Sequence, residues 1–428
     1  MPLTLDAAID RPLVPTDAPS ERYLMLILQA AAGPTRRLPL NLALVVDASG
    51  SMAGSKLARV KEAAGFVVRH LSGADRVAVV AYDDAVRVVA PSALLSPQAR
   101  TDLLYRLGRL EADGRTNLSG GWLTGCQEVA KHQNGDDAMH RALLLTDGLA
   151  NVGITSSEEL VEHARQLRRR GITTSTMGVG ANFNEELLEG LARHGGGRFQ
   201  YVETARHIPD CVQGELGEML QVSARGAAVE VALPAAARCL DCLNEYALEK
   251  TRRGVRVHLG DLLAGDTRRV LLHLAVDPGE MGDPLPVGAL ALYVDTATGQ
   301  GTEQPFPPVA MRYADRAAAE DQATDDDVAR EVGPLLAARA KQEAVRLSRL
   351  GDHVGAASAL AGAQRTLSAG VYRADPAVAG ELAALAALVQ EAGQGLTEHQ
   401  RKELRYQAYL TREARARYDP PRGVGWWA

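Results

Sequence analysis

The chain has 428 residues, 46% of them apolar, with a formal net charge of −6 and a pI near 6.0. That length exceeds one ordinary core and leads to an expectation of two to three domains, while the acidic balance gives no sign of a nucleic-acid surface. No stretch reaches the ~18 apolar residues needed to span a bilayer, and "MPLTLDAAIDRPLVPTDAPS" lacks the basic start and apolar run of a secretory signal, so the expected location is cytoplasmic, with the four cysteines reduced.

Residues 1–37 carry one clear strand, "RYLMLILQAA". From 38 to 222, strand and helix signals alternate. "LNLALVV" is a continuous apolar run of the kind found in strands buried on both faces. Leu57, Val60, Ala64, Val67, Val68 and Leu71 then repeat at helical spacing. "RVAVVAY" and "AVRVVAPS", separated only by Asp83 and Asp84, read as a hairpin. A helix is expected over 96–110, with Pro97 just inside its start, and another over 118–132 after the loop "ADGRTNLSGG". "RALLLTDG" is a strand, and "SSEELVEHARQLRRRG" is a capped helix ended by Gly171. "ITTSTMGVG", "NEELLEGLARHGGG", "RFQYVE" and a helix over 208–220 complete the series. Repeated strand–helix units predict an α/β fold built on a doubly wound, mostly parallel sheet.

Across 223–315 the period falls to two. "AAVEVAL", "GVRVHLGDL", "TRRVLLHLAV" and "VGALALYVD" alternate between Gly, Pro and Asp turns, which predicts an antiparallel β-sandwich. The strand in 1–37 is expected to join it, so that the α/β domain is an insertion. Residues 316–418 show helical signals only, beginning "DDDVAREV" with acids at the favourable end of the helix dipole, and predict a C-terminal helical bundle. Residues 419–428 read as a flexible tail whose two Trp side chains dock on a neighbour.

The stretch "VVDASGSMAGSK" runs the first buried strand into Asp47, Ser49 and Ser51. In a doubly wound sheet, ligands bind beyond the carboxyl ends of the strands where strand order reverses. One carboxylate and two hydroxyls at alternate positions offer oxygen-only chemistry, suited to Mg²⁺, with Mn²⁺ or Ca²⁺ as substitutes. Thr116, in the polar loop before a helix, and Asp147, after "RALLLT", supply two more oxygen donors.

This pattern resembles the von Willebrand factor type A (VWA) domain with its metal-ion-dependent adhesion site. The match comprises Asp47-x-Ser49-x-Ser51, the Thr116 loop "GRTNLSGG", Asp147 of "LLLTDG" and the later "TMGVG" strand, and covers about residues 38–220. The resemblance implies a Rossmann-like sheet. It implies that Ser49, Ser51 and Thr116 approach the metal directly, and that Asp47 and Asp147 do so directly or through water. It also implies a non-enzymatic protein-interaction module in which an Asp or Glu of a partner completes the coordination. The layout resembles prokaryotic multidomain proteins related to the calcium-activated chloride-channel and inter-α-inhibitor heavy-chain group, whose partners include AAA+ ATPases and phospho-signalling proteins. Two other readings are a metal-dependent phosphoester hydrolase, which needs a general base beside the metal, and a structural scaffold stabilised by its metal.

Other motifs give less. "GSMAGSKL" has one residue too few between its glycines for a phosphate-binding loop, and Leu57 stands where Ser or Thr is required. Cys239 and Cys242 form "CLDC" within an alternating stretch. Positions three apart face opposite sides of a regular strand, so packing cysteines are expected rather than a redox or zinc pair. Asp325–Asp327 read as a helix start, the histidines show no ligand spacing, and no G-x-S-x-G elbow occurs.

Overall fold

In the computed structural model of the chain, residues 3–32, 36–133, 138–180, 182–368 and 376–412 are described. The expected tail at 419–428, and the last residues of the helix expected to reach Arg417, lie outside them. The chain divides into two compact units. The first comprises Met1–Gly33, Ser223–Asp295 and Gln300–Arg417, and the second spans Pro34–Val222 with Thr296–Gly299.

Strands β1 (Leu3–Ile9), β2 (Leu13–Pro15) and β3 (Ser20–Ala30) open the first unit. The second unit follows with β4 (Leu40–Asp47), α1 (Ser55–His70), β5 (Arg76–Tyr82), β6 (Val86–Leu94) and α2 (Pro97–Gly108). It continues through α3 (Leu118–Ala130), β7 (Met139–Thr146), α4 (Ser157–Arg169), β8 (Ile172–Val179), α5 (Glu185–Gly195), β9 (Gly196–Val202) and α6 (Ile208–Met219). Its sheet has the order β6-β5-β4-β7-β8-β9 and is parallel except for the β5–β6 hairpin. Every residue of β4 is buried, as its unbroken apolar run requires under helices on both faces. The next strand in sequence, β5, lies to one side of β4, while β7 lies to the other. Strand order therefore reverses at β4, which makes the crevice past its carboxyl end the expected place for a ligand.

The chain then returns to the first unit. It adds β10 (Val222–Ala232), β11 (Ala237–Cys242), β12 (Ala247–Lys250), β13 (Gly254–Leu263), β14 (Thr267–Val276), β15 (Pro284–Asp295), β16 (Gly301–Pro305) and β17 (Val309–Ala314). Helices α7 (Arg316–Asp321), α8 (Asp326–Arg349), α9 (His353–Ser368), α10 (Pro376–Gln394) and α11 (Glu398–Arg412) complete it. One sheet has the order β1-β3-β14-β11. The other runs β12-β13-β10-β15-β17-β2, with β16 also paired to β15. A single apolar core takes Leu24, Leu26 and Leu28 from β3, Leu272 and Leu274 from β14, Val229 and Val231 from β10, and Ala291 and Tyr293 from β15. The intervening Met25 points the other way, packing with Leu271 on Val328, Val332 and Leu335 of α8. Helix on one face and sheet on the other explain why β3 is apolar on both faces. Asp325 caps α8, its Oδ1 accepting from the amides of Asp327 and Val328 at 3.0 Å. Among the described residues, no helix is long and apolar enough to cross a membrane.

One expectation needs correction. A register shift between Cys239 and Asp241 inserts a residue into β11, so Cys239 stands opposite Leu274 and Cys242 opposite Leu272. The bulge thus brings both cysteines to the same face, where regular pleating would have separated them. Both are free thiols packed on the apolar core, and burial pushes them up to about 11 and about 12 respectively.

Candidate metal centre

Asp47 ends β4 and Asp147 directly follows β7, the two central parallel strands at the reversal of strand order. Val46 pairs with Leu145, so Thr146 stands level with Asp47. Its hydroxyl donates to Asp47 Oδ2 at 2.5 Å, while the Ser49 amide donates to Asp47 Oδ1 at 2.9 Å. Asp47 is fully buried. Burial raises its carboxyl above the ordinary value, and the charge of Asp147 pushes the same way against the hydrogen bonds.

After β4 the chain makes a short 3₁₀ turn at Gly50–Met52, which aims the serines across the strand ends. Ser51 is exposed and its Oγ donates to Asp147 Oδ1 at 2.6 Å, while Ser49 and Ser51 hydroxyls lie 3.2 Å apart. Gly54, at φ 78°, turns the backbone into α1 in a conformation that favours glycine.

Thr116 is buried just before α3, and two bonds tie it to the loop after β7. Its amide donates to Asn151 Oδ1 at 3.0 Å, and the Asn151 amide donates to the Thr116 carbonyl at 3.2 Å. The loop that carries Thr116 into α3 is also stitched to the end of β4, with the Asp113 amide on Ala48 O at 2.9 Å and the Gly50 amide on Gly114 O at 3.1 Å. A Cβ built on Gly148 would stand 3.1 Å from Thr116 Oγ1 and 3.9 Å from Asp47 Oδ2. A side chain at 148 would thus crowd the threonine hydroxyl, which would have to give by a few tenths of an ångström.

All five residues singled out from the sequence therefore surround one crevice: Asp47, Ser49, Ser51, Thr116 and Asp147. Among the described residues, no group of three or more His, Cys, Asp or Glu side chains is placed to hold a metal. Three of the five donors in this crevice are hydroxyls. The set holds oxygens only, with two buried carboxylates whose charges act on each other, and fits a hard divalent cation.

Sequence reasoning passed over Lys56 and Thr146. Lys56 Nζ pairs with Asp147 Oδ2 and donates to the Ser51 carbonyl at 3.3 Å. Thr146 carries a legible signal, since it is the polar end of an apolar strand beside a site residue. Lys56 carries none, because its partner lies far along the chain.

Residues 41–213 match the family model of the von Willebrand factor type A domain. Uncharacterized protein sll0103 of Synechocystis is 29% identical over 368 residues, covering 81% of this chain and 83% of that protein. Inter-alpha-trypsin inhibitor heavy chain H3 of Pongo abelii is 28% identical over 200 residues, but the match spans only 23% of that protein's length and 45% of this chain. Among solved structures, a von Willebrand factor type A protein from Catenulispora acidiphila superposes with a TM-score of 0.73 over 96% of each chain at 17% identity, a likeness of fold.

Proposed function

Residues 41–213 form a von Willebrand factor type A domain, a family whose members mediate protein–protein interactions and commonly hold a divalent metal, and on that premise we propose that this chain is a metal-dependent protein-interaction module. Asp47, Ser49, Ser51, Thr116 and Asp147 are its ligand set, for Mg²⁺ with Mn²⁺ or Ca²⁺ as substitutes. The observation that carries the reading is the convergence of three hydroxyls and two buried carboxylates at the strand-order reversal.

The chemistry follows from the ligand types. Ser49, Ser51 and Thr116 contribute lone pairs without charge, so the site adds no negative charge beyond that of its two carboxylates. A bound divalent ion then supplies an electrophile for the carboxylate of an incoming Asp or Glu. Asp47 is held at both oxygens by Thr146 and the Ser49 amide, which fixes its direction before any ligand arrives. The reading is non-enzymatic, because the carboxylates of the site are all assigned as ligands and leave no separate general base. We further read the two sheets of the first unit as a β-sandwich and its helices as a bundle, accessory to a cytoplasmic adhesion module.

The test is capture of a partner by the immobilised full chain in Mg²⁺ and in EDTA, with Asp47→Ala as control. A protein retained by the wild type in Mg²⁺ alone is the expected result. Equal retention in every lane, with both proteins folded, would sink the reading.

A further inference from the structure

Lys56 is the group at the crevice that the ligand pattern leaves unexplained. It lies in the first turn of α1, where the helix macrodipole disfavours a cation. What holds it there is the ion pair to Asp147 Oδ2, with the Ser51 carbonyl as a second acceptor. The pair is lopsided: the Asp147 side chain is fully buried, whereas that of Lys56 is 29% exposed. The ammonium can turn into water on its flexible stem, while the carboxylate cannot leave.

We propose that Lys56 is a tethered counter-ion which occupies Asp147 until a divalent cation displaces it, and so sets how tightly the site holds that cation. The inference rests on the metal-binding reading above and adds a regulator to it. Two carboxylates alone would present two negative charges to the ion. With the ammonium in place they present one, so entry of a cation must break an existing ion pair and then tolerate a like charge nearby. The same arithmetic leaves the loaded site with one net positive charge, where two carboxylates alone would leave it neutral. Lys56 weakens cation binding and keeps the loaded site attractive to an anion.

Mn²⁺ alone, titrated into the full chain and read by the electron paramagnetic resonance of the free ion, tests this. Lys56→Met is expected to tighten Mn²⁺ binding at least ~tenfold, with Lys56→Arg staying within about threefold of wild type. Lys56→Gln serves as a second neutral variant should the methionine form not fold, and circular dichroism reports folding in each. Equal affinity in wild type and the neutral variants overturns the counter-ion role while leaving the metal site standing. Weaker binding in the neutral variants does the same, by making Lys56 a support for Asp147. No Mn²⁺ bound by the wild type or any folded variant overturns the metal site and this inference together.

Discussion

Asp47, Ser49 and Ser51 were legible because a strand that cannot turn polar in its interior must do so at its end, and a site at a sheet edge needs polar groups there. Thr116 and Asp147 follow from the same rule at other strand and loop ends. Lys56 was not legible, since a lysine in a first helical turn reads as a solvated charge until its partner, 91 residues away, is brought beside it. His194 shows a similar conflict at one residue. It lies in the last turn of α5, where the dipole favours a cation, yet burial first, and then Arg193, Arg165 and Arg168, lower it from 6.5 to about 4 against the pull of Glu162. The fold therefore holds the imidazole neutral, while the unfolded chain takes a proton near its ordinary value. Stability from this residue is fully present above pH 6.5, falls through the window between 6.5 and 4, and is lost below it. Urea melts at pH 7 and pH 5 are expected to show a larger drop in midpoint for the wild type than for His194→Gln. Equal drops would show that the histidine titrates in the folded protein as it does in the unfolded chain.

Helix α3 carries the loop of Thr116 at its amino end, and its distance from the sheet is set by two glycines on one face. A Cβ on Gly121 would come within 2.2 Å of Tyr82 Cδ1, and one on Gly125 within 2.4 Å of Val45 Cγ2. Both neighbours are fully buried, so neither can yield without moving the sheet. Gly125→Ala, although it favours the helix intrinsically, is expected to lower stability by about 1–3 kcal/mol in chemical denaturation. Neutral or raised stability would show that the helix can lift off β4 freely. Helical spacing gave the extent of such elements well: Pro97 and Gly171 mark ends that the structure keeps. The bulge in β11 had no such signal. Alternation in "CLDC" is a statement about a regular strand, and the extra residue appears only once β14 supplies the register.

At the scale of the molecule, the period of "RYLMLILQAA" marks a strand but names no partner. Its partners are β1 at one edge and β14 at the other, with Gln29 opposite Thr267. Pairing across that separation depends on contacts that no local pattern encodes. It also has a meaning in time. A ribosome adding about 5–20 residues per second makes β14 on the order of ten to fifty seconds after β3. Throughout that interval β3, with Leu24, Leu26 and Leu28 on one face and Met25 on the other, has β1 alone of its two hydrogen-bonded neighbours. Residues 34–222 of the unit holding the candidate site are all synthesised before β14 exists. Nascent chains stalled after residue 222 are expected to resist protease across 38–222 and to be cut within the opening strands. Protection of those strands at that length would show that they find cover elsewhere. The register of one strand pair thus acts as a schedule, under which a strand made near the start of the chain waits for a neighbour made long after it.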